Sequence, residues 1–136
     1  FHKMKNLQLV VVCCLLFVSG YGQSVNKIEV IDFHSTHRCI TCKAIESNTK
    51  LVLETNFEKE LKDGVITFQA VNVDDEKNYK LAEKFQATGT ALFLNVITNG
   101  EEKQIDLTQF GFKYGKNTEE FTKRLKSRIE KQLSKI

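Results

Sequence analysis

The sequence predicts an α/β domain, a mixed sheet flanked by helices in the order β-α-β-α-β-β-α. Three observations carry this expectation. Short β-branched or apolar runs alternate with stretches of helical period, the pattern of units that lay strands in parallel. Residues 91–97, A-L-F-L-N-V-I, form a nearly continuous apolar run, as a strand covered on both faces does. Asn99-Gly100 follows almost at once, a strong hairpin signal, so the next strand adds antiparallel.

Each element has its own local reason. I-E-V-I-D-F, residues 28–33, is short and rich in β-branched side chains, a first strand. H-S-T-H-R is a polar loop. From Ile40 to about Leu61 the period is helical, with Ile45, Val52, Leu53, Phe57 and Leu61 recurring on one face, and Asp63-Gly64 closes it. V-I-T-F-Q-A-V-N-V, residues 65–73, is a second strand. Asp74 or Asp75 can cap a helix running to Phe85, with Leu81, Ala82 and Phe85 inward, and Gly89 ends it. After the hairpin, E-K-Q-I-D-L is a strand, and Q-F-G-F-K-Y-G is expected to be a Gly- and aromatic-rich loop. Asn117 and Glu120 have cap-to-third-residue spacing, opening a last helix with Phe121, Leu125, Ile129 and Leu133 as its apolar stripe. There is no internal repeat and no low-complexity linker.

The amino-terminal segment has a different character. Residues 9–18, L-V-V-V-C-C-L-L-F-V, are unbroken apolar, with Lys3 and Lys5 before them and S-G-Y-G-Q-S after. That is the pattern of a secretory signal peptide, and the core is too short for a membrane span, which needs about 20 residues. Residues 1–22 are therefore expected to be an upstream remnant plus a signal that is removed, with translation starting at Met4 and cleavage after Gly22. Residues 23–136 are expected to be one exported, periplasmic or extracytoplasmic domain. Two of the 20 basic residues leave with the signal, so 18 basic stand against 17 acidic groups in the remainder. That near-neutral balance argues against a nucleic-acid partner, and the membrane enters only through the signal before cleavage. About 114 residues suffice for a real core without a disulfide to staple it.

Cys13 and Cys14 leave with the signal as well, so Cys39 and Cys42 are the cysteines that remain. They fall at the junction of the first strand and first helix. A helix N-terminus presents unpaired N–H groups and partial positive charge, which lowers a thiol's pKa below its free value of about 8.5. Arg38 adds charge beside Cys39. Cys39 is expected to be the exposed nucleophile and Cys42, one turn on, the resolving thiol. Other readings remain open. The pair can be an inert structural disulfide, although so short a loop hardly constrains the unfolded chain. It can also join His34 and His37 in H-x-x-H-x-C-x-x-C to hold Zn²⁺, or Cu(I) through the thiolates. As(III) favours three thiolates, and the two here would need a partner or a dimer.

The run I-D-F, C-x-x-C, V-N-V-D-D, L-A-E-K-F, G-T-A-L-F-L and N-G resembles thioredoxin in the same order, over nearly all of residues 28–133. The finer stretch F-H-S-T-H-R-C-I-T-C-K-A-I-E resembles a bacterial thioredoxin-like family known as nitrophenyl compound nitroreductase subunits, associated with arsenic-resistance operons. The resemblance implies a thioredoxin-like fold and a pair cycling between dithiol and disulfide, with no separate cofactor. It also implies a protein thiol or disulfide partner, with a membrane electron donor among the candidates. By the same resemblance Asp32 matches the buried acid that relays protons to the resolving cysteine. A solvated Asp at a strand end is the competing interpretation. Arg38, Thr90 and Ala91 fall where a partner segment is held.

The departures matter too. Arg38 stands where thioredoxins have Trp, and Ile40-Thr41 where they have Gly-Pro. The chain contains no proline. Ala91 takes the place of the family's cis-proline. A cis bond before a non-proline residue costs about 2.5–4 kcal/mol, so a trans bond is expected there. The loop to Cys39 is one residue longer, and the lysine that accompanies the family's acid aligns with Ala70. Phe110, Phe112 and Tyr114 are expected to pack in the core rather than line a partner surface, and the basic residues of the last helix to form an ordinary wet face.

Overall fold

Eight residues, Lys27–His34, form the first strand, β1, and its inward side chains Ile28 and Val30 start one half of the core. The structure, a computed structural model, describes residues 25–136. The segment read as a remnant and signal, residues 1–22, lies outside the described residues. The remaining strands are β2, Ile66–Asn72; β3, Ala91–Thr98; and β4, Glu101–Asp106. The helices are α1, Ile40–Asn56; α2, Glu58–Lys62; α3, Tyr79–Lys84; α4, Thr108–Tyr114; and α5, Thr118–Leu133.

The four strands lie in the order β2-β1-β3-β4. β1 and β2 are parallel, joined by the α1–α2 crossover, whereas β3 runs antiparallel to β1 and β4 antiparallel to β3. This mixed sheet with helices on both faces is the thioredoxin-like arrangement that the motif order implies. Asn99 and Gly100 turn the hairpin with φ of 52° and 81°, as an Asn-Gly turn between twisted strands requires.

Strand periodicity divides the core in two. Ile28 and Val30 face α1 and α5, where Ile45, Leu53, Phe121 and Leu125 are buried. Ile31 and Phe33 face the other way, toward Val71, Ala82, Phe85 and Phe93 near α3. There the rings of Phe33, Phe85 and Phe93 pack with centroids 5.1–6.0 Å apart. β3 serves both halves, and its first six residues are all buried, as the apolar run predicts.

Four local expectations are corrected. The long first helix does not continue to Leu61. It ends at Asn56, and Phe57, with φ of −132°, bends the chain and buries its ring before α2 begins. The helix after Asp75 opens as a 3-10 turn, Glu76–Asn78, with the Asp75 carboxylate accepting the Lys77 N–H, and only then becomes α3. Q-F-G-F-K-Y-G is not a loop but most of α4. Two glycines and three aromatics are poor helix formers, but tertiary packing overrides propensity here. Gly111 and Gly115 let α4 approach α1 so closely that a Cβ on either would lie 3.1 Å from the Ile45 side chain. Phe110 is buried and Tyr114 half-buried, whereas Phe112 is exposed, against the expectation that all three pack inward. Among the described residues, no helix is long and apolar enough to cross a membrane.

Candidate active site

β1 ends at His34, and four polar residues, Ser35 to Arg38, carry the chain to Cys39 at the N-terminus of α1. Cys39 is the cap of that helix, with extended backbone at φ −76° and ψ 165°. A helix start leaves N–H groups without partners, and a Ser, Thr, Asp or Asn side chain normally accepts one. Here a sulfur does so: Cys39 Sγ accepts the Cys42 N–H at 3.1 Å. One turn is also the separation at which two cysteine side chains meet. Cys39 and Cys42 form a disulfide, with Cα atoms 5.1 Å apart.

The two sulfurs belong to unlike environments. Cys39 is exposed, whereas Cys42 is only 7% exposed. An incoming molecule therefore meets Cys39 first. Between them, Ile40 stands 81% exposed.

Behind the pair lies a set of charged groups. Asp32 is fully buried, not solvated at a strand end. Its neighbours on the flanking strands are Ala70 and Leu92, which offer it no charge. Its Oδ2 lies 3.4 Å from Arg38 Nη2, and its Oδ1 has no hydrogen-bond partner among the described residues. Burial pushes its carboxyl up to about 7, and the negative charge of Glu46 pushes the same way, against Arg38 and Lys50. Arg38 reaches Glu46 through Nη1 at 2.5 Å, and Glu46 in turn accepts from Lys50 Nζ at 2.6 Å. Burial raises the Glu46 carboxyl, but the hydrogen bonds from Lys50 and Arg38 outweigh it and hold the group below the usual range. Arg38 Nη2 also lies 3.4 Å from the Cys42 carbonyl oxygen.

The residues singled out in the sequence fall into distinct places. Cys39, Cys42, Asp32 and Arg38 come together, but the Arg38 guanidinium turns inward to Asp32 and Glu46. Thr90 and Ala91 sit at the same end of the sheet as the cysteine loop: Ala91 pairs with Phe33, and Gly89 packs near Ser35. No peptide bond is cis among the described residues, so Thr90–Ala91 is trans. Both residues border an open groove shared with Phe85, Thr88, Asp106 and Gln109. His34 and His37 do not converge with the cysteines. The His34 ring is hydrogen-bonded through Nδ1 to the Ser35 carbonyl at 3.0 Å, and His37 is exposed. Among the described residues, no three His, Cys, Asp or Glu side chains cluster as a metal would need, so the His34–His37–Cys39–Cys42 ligand set is not formed. The physical reason is chain direction: the histidines leave on the strand end and loop, while Cys42 is carried inward on α1.

Sequence reasoning missed Glu46. The i, i+4 spacing of Glu46 and Lys50 was a signal for their pair. Nothing local signals that Arg38, eight residues before Glu46, folds back onto it.

No protein-family model matches the chain, and no curated protein matches it. Among solved structures it is similar to a malarial protein, at 20% identity over 61% of this chain and 83% of that one, with a TM-score of 0.42. It is also similar to the thioredoxin of Fasciola hepatica, at 21% identity over 64% of this chain and 75% of that one, with a TM-score of 0.41. Likeness at that level carries no argument of its own, and the thioredoxin-like fold of this chain stands on its strand order and strand directions.

Proposed function

We propose that this chain is a thiol–disulfide oxidoreductase, or the electron-passing subunit of a redox system, acting after export from the cytoplasm. One observation carries the reading: a one-turn Cys39–Cys42 disulfide at a helix N-terminus, with its outer sulfur exposed and its inner sulfur buried. A staple would gain little here, because a loop this short removes little freedom from the unfolded chain. A reversible pair needs this asymmetry, so that only one sulfur meets the partner.

In the reducing direction, the Cys39 thiolate attacks a partner disulfide. A Cys39–partner bond forms, and the partner's other sulfur leaves as a thiolate. Cys42 then attacks Cys39, closing the internal disulfide and releasing the second partner sulfur. Two electrons pass from the pair to the partner, and the Cys42 proton is taken up by a base. Run backward, the same steps oxidise a partner dithiol. The stretch from Phe33 to Glu46, similar to nitroreductase subunits of arsenic-resistance operons, supports a partner within such a system. The apolar segment at residues 9–18 supports export.

A redox titration tests this reading. Purified protein is equilibrated in graded thiol–disulfide buffers, and alkylated Cys39 and Cys42 are counted by peptide mass. The expected result is a reversible two-electron transition between about −270 and −120 mV, the range of C-x-x-C proteins of this fold. A pair that stays oxidised under strongly reducing buffer would mean a structural staple.

A further inference from the structure

Charge is unevenly divided along the chain. Residues 113–136 hold eight Lys and Arg against three Glu, whereas residues 25–112 hold ten Lys and Arg against fourteen Asp and Glu. A near-neutral domain thus concentrates its positive charge on α5 and the end of α4. All eight of these cations are exposed. Among the described residues only two of them meet a carboxylate: Arg124 lies 2.7 Å from Glu120 and Lys126 lies 3.7 Å from Glu130. An ordinary wet face intersperses the two signs, and this one does not.

Two of the cations are also held in place. The Arg124 guanidinium lies 4.6 Å from the centre of the Tyr114 ring, and that of Arg128 lies 4.9 Å from the centre of the Phe110 ring. The two rings are 5.4 Å apart. Stacking on an aromatic face restricts a long side chain beforehand, so less freedom is lost when it binds. Arg124 donates to Glu120 through Nε, not through its terminal nitrogens. A guanidinium presents a planar fork that fits a carboxylate through two hydrogen bonds. One helical turn separates Arg124 from Arg128, about 5–6 Å between Cβ atoms. Carboxylates at alternate positions of an extended segment are about 6–7 Å apart, close to that spacing.

We propose that the surface shared by α4 and α5 docks an acidic, extended segment of a partner protein, with Arg124 and Arg128 as its fixed points, and so brings a partner disulfide to Cys39. Delivery to Cys39 rests on the redox reading above, whereas the docking does not. The two places adjoin. A Cβ on Gly115, at the end of α4, would lie 3.2 Å from Thr41 Cγ2, and Thr41 is two residues from Cys39. A protein segment fits this surface better than a bilayer does. Phe121, Leu125 and Ile129 are fully buried, so α5 has no apolar side left to insert among lipids, and a bilayer would be held by charge alone.

The test has a binding arm and an exchange arm. In the first, the oxidised protein is titrated with a fluorescent peptide of alternating Glu and Ser, and anisotropy is read. The same peptide with Gln for Glu is the reference. The Glu peptide is expected to bind about tenfold more tightly at low salt, and the preference to shrink as the screening length falls from about 30 Å at 0.01 M to about 8 Å at 0.15 M. Arg124→Gln with Arg128→Gln should weaken binding about fivefold or more. Lys77→Gln with Lys80→Gln removes equal charge beside α3, on the other face of the sheet, and should change it less than about twofold. In the second arm, reduced protein meets disulfide-bearing versions of the two peptides. The Glu version should react about tenfold faster, and the arginine variants should lose that advantage.

No preference for the Glu peptide overturns the proposal, and so do equal losses in the arginine and lysine pairs, which would show net charge at work rather than this face. Anionic phospholipid vesicles that bind through the two arginines while the Glu peptide does not would assign the surface to a membrane and overturn it too. If the arginine pair fails to fold, Lys113→Gln with Lys131→Gln decides, expected to weaken binding at least about twofold. A small neutral aromatic disulfide is the control for chemistry. If the wild type never exchanges with it yet prefers the Glu peptide, the redox reading fails and the docking stands. If exchange with it is normal but the Glu peptide reacts no faster than the Gln peptide, delivery to Cys39 is overturned.

Discussion

The backbone N–H of Cys42 donates to the sulfur of Cys39 at 3.1 Å, so one member of the pair caps the helix that carries the other. Positive charge at a helix N-terminus favours an anion at the cap. A thiolate at Cys39 would receive the same N–H in a charge-assisted bond.

Cys39 is therefore expected to react first. With limiting iodoacetamide at neutral pH, reduced protein should carry label on Cys39 over Cys42 by about tenfold or more, read by peptide mass. Cys42→Ser should accumulate a mixed disulfide with its partner. Cys39→Ser should form none, yet stay folded, since Ser is itself a good cap. Preferential labelling of Cys42 would reverse the roles.

Burial of Asp32 makes stability depend on pH. Its carboxyl is raised in the folded state to about 7, from an ordinary value of 3.8. Below about pH 4 both folded and unfolded states hold the proton, and burial of the group carries no ionisation cost. As pH rises from about 4 to 7 the unfolded state loses its proton first, and stability falls until the folded group has ionised too. Asp32→Asn removes this cost. It should stabilise the oxidised protein by roughly 2–4 kcal/mol at pH 8 and hardly at all at pH 4. Urea unfolding at the two pH values measures it, and an equal change at both would show that ionisation is not the cause.

Close approach of α4 to α1 makes Gly115 hard to replace. A Cβ there would lie 2.6 Å from the Gly111 carbonyl oxygen and 3.1 Å from Ile45 Cγ1. The Gly115 carbonyl also accepts from the buried Asn48 side chain at 3.0 Å, joining α1 to the turn before α5. Gly115→Ala should cost about 1–3 kcal/mol. Gly111→Ala should cost less, because the nearest atom there is the flexible end of Ile45 at 3.1 Å. Denaturant midpoints of the two variants should rank in that order.

The histidines beside the pair should be dispensable for exchange. Among the described residues, the ring of His34 is hydrogen-bonded only to the neighbouring Ser35 carbonyl, and His37 is exposed. Replacing both with Ala should leave the exchange rate with a small disulfide within about twofold, since no strong charge-assisted contact is lost. A larger loss, or a stoichiometric metal that these variants no longer bind, would bring the histidines back into the site.

Much of this was legible along the chain because it is local. Strand and helix order followed from periodicity, the hairpin from Asn99-Gly100, and the start of α5 from Asn117, whose side chain does accept the Glu120 N–H at 3.1 Å. What was read wrongly depends on packing. Phe57 breaks a helical pattern because its ring has a place in the core. The segment from Gln109 to Gly115 becomes mostly helix because its glycines fit against Ile45, which no window of neighbouring residues contains.

By itself, then, the sequence determined where the sulfurs stand on their helix, since a spacing of three residues and a helix start are local properties. Tertiary structure alone decided what surrounds them. Burial of Asp32 needs a strand on each side and α1 above. The inward turn of Arg38 needs Glu46 a helical turn beyond Cys42. Separation of His34 and His37 from the pair depends on the course of the loop. Electrostatic strength depends on how far water has been excluded, and that is a property of the assembled fold.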